Sequence, residues 1–117
     1  MRSDPKALLP LSAPVFHILI ALANGDQHGY AIMQDVAART GGKIRLSPGT
    51  LYGAIKRLLE DGLIQELEER PDSAHDDQRR RYYALTDFGR RVARAEASRM
   101  EAVLRDARST GLIPKTL

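Results

Sequence analysis

Between Ser47 and Arg57 the chain places two aliphatic hydroxyls, Ser47 and Thr50, and two cations, Lys56 and Arg57. A second cationic group follows at Arg79, Arg80 and Arg81. Hydroxyls and long cations donate hydrogen bonds and pair with anions; without an adjacent base they attack nothing. Their chemistry is reversible contact with a polyanion. His75, Asp76 and Asp77 also invite a metal reading, but neighbours on a polar turn do not easily converge on one ion and no fourth ligand is evident. The absence of cysteine removes disulfides, thiolate nucleophiles and cysteine-type zinc sites together. His17 and His28 have no obvious paired base or nucleophile. Nor does the sequence carry a glycine-rich phosphate loop, a zincin helix or a serine elbow. The expectation is a binding protein and not an enzyme, with no cofactor and no metal.

Composition sets the frame for those donors. With 117 residues and 13.0 kDa there is room for one domain, and 43% hydrophobic with 28% charged residues is ordinary for a packed globular chain. Net charge is +3 with a sequence pI near 9.5, a mild basic bias that permits nucleic-acid binding without demanding it. Its distribution says more. Glu66 to Asp77 holds six acidic residues against Arg70, whereas Arg79 to Arg94 holds six arginines against Asp87. A basic face beside an acidic edge is implied. The longest apolar run, Val15 to Ala23, is broken by His17 and has half the ~20 residues a membrane helix needs. The first residues, Met-Arg-Ser-Asp-Pro-Lys, do not lead into a signal-type apolar run, so a cytoplasmic protein without a membrane anchor is expected.

Positioning the donors requires helices whose limits are written locally. Ser12 as N-cap and Pro14 in the first turn open a helix with Val15, Ile18, Leu19 and Leu22 at spacings of three and four, ending near Asn24-Gly25. After a turn over 25–28, Tyr30, Ile32, Met33, Val36 and Ala37 predict a second helix, with Tyr30 as a core anchor, halted by Thr40-Gly41-Gly42. Lys43 to Leu46 alternates charged and apolar residues, consistent with a very short extended segment. Ser47-Pro48 caps a third helix whose stripe of Leu51, Ile55, Leu58 and Leu59 faces inward and whose end is Gly62. Its other side carries Thr50, Lys56 and Arg57, with Gly49, Gly53 and Ala54 small enough for close approach. A strand from Leu63, a polar turn of roughly ten residues, and a returning strand over Arg80 to Leu85 follow. Thr86 then caps a last helix reaching about Thr110.

Three helices, a strand, a long turn and a strand make an α+β, mainly helical fold: a winged helix-turn-helix, residues 1–86, followed by a C-terminal dimerisation helix and tail, residues 87–117. In such an arrangement the third helix enters the DNA major groove and Arg79, Arg80 and Arg81 of the wing reach an adjacent backbone or minor groove. Phe88, Val92, Ala95, Met100, Val103, Leu104 and Ala107 form an apolar side of the last helix that a lone domain leaves uncovered. A homodimer covers it and sets two reading helices about one DNA turn, ~34 Å, apart, which predicts a pseudo-palindromic operator. Met33, Met100 and the few aromatics could line an apolar effector pocket between subunits or be ordinary core. The competing reading is a winged-helix protein-interaction module without DNA binding, meeting a basic partner through the acidic edge from Glu66 to Asp77.

The segments His28-Gly29-Tyr30-Ala31-Ile32, Ser47-Pro48-Gly49-Thr50-Leu51-Tyr52, Leu58 through Gly62-Leu63-Ile64, and Arg81-Tyr82-Tyr83-Ala84-Leu85-Thr86 with Gly89 occur in this order. Together, across about Leu8 to Met100, they resemble the PadR family of bacterial transcriptional regulators, in its shorter form with one helix after the wing. The resemblance implies a dimeric repressor, often released from DNA by a small molecule, and an aromatic residue near DNA at the position of Tyr52. On its residues alone, Tyr52 equally fits a packed ring with its hydroxyl in water.

Overall fold

A computed structural model describes residues 4–68, 70–72 and 75–114, with 70–72 and 75–80 described by backbone alone. A 3-10 turn at Pro5–Leu8 precedes helix α1, Ala13–Ala23; strand β1, Gln27–His28, leads directly into α2, Gly29–Arg39. Helix α3 spans Pro48–Glu60, and strands β2, Ile64–Glu66, β3, Arg70–Asp72, β4, His75–Arg80, and β5, Tyr82–Leu85, form the wing before α4, Asp87–Ser109.

Helix starts follow the side chains that can accept from free N–H groups. Ser12 Oγ accepts from Val15 N–H at 3.3 Å, Ser47 Oγ from Thr50 N–H at 3.1 Å and Thr86 Oγ1 from Gly89 N–H at 2.9 Å. His28 Nδ1 does the same for Ala31 N–H at 3.1 Å. Helix α3 ends where Gly62 takes φ +77°, letting Leu63 N–H reach Leu58 O at 2.9 Å while the Leu63 side chain enters the core.

The core joins Ile18, Leu19 and Leu22 of α1, Ile32 and Val36 of α2, and Leu51, Ile55 and Leu58 of α3 with Leu63, Ile64, Tyr83 and Val92. It is this inward stripe that leaves the opposite side of α3 to solvent. At 23 residues α4 is about 34 Å long, and only its first half packs on the core, through Gly89, Val92 and Glu96.

The sheet differs from the sequence expectation in three respects. Its order is β1-β5-β2, all antiparallel, so a third strand, Gln27–His28, paired with Tyr83 and Tyr82, stands where the sequence suggested a turn. The expected extended segment, residues 43–46, joins no sheet and is held by Thr40, whose Oγ1 accepts from Ile44 N–H at 3.0 Å and donates to Val36 O at 2.9 Å. The turn expected to be about ten residues long contains a second ladder, β3 against β4, with an irregularity between Pro71 and Asp72. The returning strand is interrupted at Arg81 and not continuous from Arg80.

Glu96 is a charged residue with no solvent exposure. Its Oε2 accepts from Leu11 N–H at 2.8 Å, just ahead of the N-terminus of α1, and its Oε1 accepts from Arg99 Nε. The Arg99 hydrogen bond, with help from Leu11 N–H and against the effect of burial, holds the carboxyl below the ordinary carboxylate range. A depressed folded pKa contributes stability above the unfolded value, and that contribution is lost as pH falls through the folded pKa. Glu96→Gln is expected to cost about 1–3 kcal/mol at pH 7, the scale for disrupting a buried charged hydrogen bond. Urea unfolding of both proteins should show the gap narrowing below about pH 4.5, the ordinary value of this carboxyl.

Candidate nucleic-acid interface

Along α3 the exposed residues Gly49, Gly53, Lys56 and Glu60 recur at spacings of four, three and four and so share one face. Helical geometry sets Tyr52 on one side of this strip and Thr50 with Arg57 on the other. Tyr52 is 49% exposed, and Thr50 and Arg57 are also exposed. Ser47 serves the helix twice, accepting from Thr50 N–H and donating to Thr50 Oγ1 at 3.0 Å, so Thr50 keeps its own hydroxyl proton for an outside acceptor. The first turn of α3 is also where backbone N–H groups and the helix dipole favour a phosphate.

The two glycines of the strip have no internal reason to be glycine. A Cβ built at Gly49 or Gly53 meets nothing within 4 Å, and neither has a positive φ. Gly53 within a helix costs roughly 1 kcal/mol relative to alanine. What their absent side chains provide is close access to the α3 backbone from outside. Ala54, grouped with them from sequence, turns inward and is 9% exposed.

Other expected contacts fall around this strip unevenly. Arg81 is exposed and lies 3.7 Å from Glu66, a surface pair of the kind worth at most about 1 kcal/mol, so the guanidinium can exchange its carboxylate for another anion at little cost. The side chains of Arg79 and Arg80, like those of His75, Asp76 and Asp77 and most of the acidic edge, lie outside the described residues. Tyr30 is not a core anchor: it is 49% exposed beside Met33, Gln34, Ala37, Arg45 and Leu46, because it stands two residues before buried Ile32 and six before Val36, on another face of α2. Two cations missed from sequence, Lys43 and Arg45, are exposed on the connection into α3. Their charge was legible, but the place of the segment beside the start of α3 is set by the Thr40 contacts that hold it.

On α4 the expected apolar side divides into three. Val92 is fully buried in the chain's own core and Phe88 packs against that core with the Arg91 guanidinium 5.6 Å from its ring centre. Those two therefore serve the domain itself. Val103 and Leu104 are 56% and 42% exposed and line a groove with Met100 and Arg99; Ala107 lies one turn further. Ala95 instead borders a cavity of about 710 Å³ with Lys6, Leu9, Arg94, Ser98 and Arg99. Met33 and Met100 line different grooves and do not meet within one protomer. Among the described residues no cluster of His, Asp or Glu could hold a metal ion, and no helix is long and apolar enough to cross a membrane.

An α2-turn-α3 unit packed on α1, with a β-hairpin wing and an outward donor face on α3, defines a winged helix-turn-helix. Residues 18–95 match the PadR-like family of transcriptional regulators, and the chain belongs to that family. Over 90 residues it is 36% identical to a transcriptional regulator of Mycobacterium tuberculosis, covering 77% of this chain and 78% of that one. Over 83 residues it is 41% identical to an uncharacterized 37.1 kDa protein of a Streptomyces fradiae transposon, covering 71% of this chain but only 21% of that protein. The chain therefore spans about a fifth of the length of the Streptomyces relative. Bacillus subtilis PadR in complex with operator DNA shares the fold, with a TM-score of 0.61 at 22% identity over 74% of this chain and 47% of that one. The family and the Mycobacterium tuberculosis relative are those of transcriptional regulators.

Proposed function

We propose that this protein binds duplex DNA sequence-specifically as a homodimer, reading the major groove with α3. The observation that carries the reading is the glycine-centred outer strip of α3, flanked by Thr50, Tyr52, Lys56 and Arg57, whose glycines no internal contact explains. Lys43, Arg45 and Arg81, with Arg79 and Arg80 of the wing, supply the phosphate contacts that fix register. Met100, Val103, Leu104 and Ala107 form the dimer contact, with residues 87–117 acting as the dimerisation segment and the first turns of α4 also closing the core of 1–86. The operator complex of the Bacillus subtilis relative supports DNA as the partner. The reading extends to a repressor in the cytoplasm, released by a small molecule, for which the cavity beside Leu9 and Ala95 offers space.

Gly53→Ala tests the site directly. The variant is expected to be more stable than the parent by roughly 0.5–1 kcal/mol in urea unfolding, because alanine is the better helix former and meets no neighbour. The same variant should bind a duplex selected by the parent from a random pool at least ~10-fold more weakly, a loss on the scale of one ~1.4 kcal/mol contact. Unchanged affinity in a stabilised Gly53→Ala protein would remove α3 from the interface.

A further inference from the structure

Tyr52 leaves α3 toward the start of α2, and what it meets there is the bare backbone of Gly29. A Cβ built at Gly29 would stand 2.8 Å from Tyr52 Cζ and 3.2 Å from Cε1, with the hydroxyl oxygen nearer still. Gly29 is buried while the ring is half exposed, so the glycine forms the floor of a seat and the ring its occupant. No backbone conformation demands glycine here, since Gly29 has no positive φ. The seat itself is fixed from two sides. His28, the preceding residue, caps α2 through Ala31 N–H and sets its ring edge-on to Tyr82, 5.4 Å between centres and 86° between planes. Through β1, Gln27 and His28 also pair with Tyr83 and Tyr82 of β5, the strand that carries the wing.

Given the DNA-binding reading of α3, we infer that Gly29 is a positioning residue for recognition: its missing side chain seats the Tyr52 ring at the edge of the α3 strip, in fixed register with the wing. A rigid aromatic held on one side of a reading helix offers its face and hydroxyl to the duplex without having to be ordered on binding, and preorganisation of that kind favours affinity. Alanine at 29 would strike the far end of a side chain that can swing aside, so the displacement falls on Tyr52 and not on the core.

The test is a double-mutant cycle of Gly29→Ala and Tyr52→Leu, measured by anisotropy on a duplex selected from a random pool by the parent protein. Gly29→Ala is expected to weaken binding about 10-fold with the thermal midpoint within ~4 °C of the parent. Because no phosphate contact is lost, the slope of log affinity against log salt should stay the same, whereas Lys56→Ala should flatten it by about 1. In the Tyr52→Leu background the further loss from Gly29→Ala should be under 2-fold. Binding like the parent's, or an equal further loss without Tyr52, would overturn the seat. If Gly29→Ala alone does not fold, Gly29→Ala with Tyr52→Leu should fold; failure of the pair also overturns it. If the parent enriches no duplex, the DNA-binding reading itself has failed, a result distinct from every arm of the cycle.

Discussion

Replacing Gly89 by alanine is expected to be the most damaging single-methyl change in the protein, lowering the thermal midpoint by roughly 10–20 °C. Gly89 sits in the first turn of α4 with the Leu63 backbone against it: an added Cβ would meet the Leu63 carbonyl oxygen far inside contact distance and the carbonyl carbon at 2.8 Å. Backbone cannot swing aside as a side chain can. Thr86 tightens the same junction, donating to Gly62 O at 2.6 Å and accepting from Gly89 N–H, while Thr86 N–H reaches Leu63 O at 3.1 Å. Relief therefore requires α4 to lift away from the end of α3, which uncovers Val92. Overpacking a tight site costs typically 1–3 kcal/mol and more where backbone must move, so ~3 kcal/mol is the expected scale. Circular dichroism melts compare this variant with Gly53→Ala, which adds the same methyl to a helix with nothing near it. A Gly89→Ala midpoint within ~3 °C of the parent would show that α4 is not docked through this turn.

The second large effect concerns the far half of α4. Val103→Asp should convert a dimer to a monomer in sedimentation at micromolar concentration and reduce DNA affinity by at least ~100-fold, the scale lost when two linked binding events become separate. Val103 is chosen because it is 56% exposed in the single chain, so aspartate there breaks no contact of the domain's own core. Val92→Asp would be uninformative, since Val92 is wholly buried within the chain and its loss would unfold the domain. A Val103→Asp protein that sediments as the parent does and binds as tightly would move the dimer contact elsewhere.

The features legible in the sequence were those set by near neighbours. Ser12, Ser47 and Thr86 each cap a helix three residues ahead, and Gly62 ends α3 through contacts no further than Leu58. The donor face of α3 was legible for the same reason, because a strong inward stripe fixes what must face out. Strand β1 was not: two residues have no periodicity, and their pairing depends on Tyr82 and Tyr83 more than fifty positions away. Tyr30 was misplaced because its three- and seven-residue spacing is to the half-buried Met33 and Ala37 and not to the buried Ile32 and Val36. Glu96 escaped notice because a carboxylate is a poor core candidate, although it stands four residues after Val92 on the same face of α4. Its burial depends on Leu11 N–H, a partner 85 positions distant in the chain.

The most direct measurement is selection of duplexes from a random-sequence pool by the parent protein, followed by anisotropy of the enriched and scrambled duplexes over a range of salt. Two inverted half-sites about one helical turn apart, ~10 bp, bound at least ~10³-fold tighter than scrambled DNA with log affinity falling linearly in log salt, is the expected result. Equal, weak binding to every duplex would contradict DNA recognition through α3.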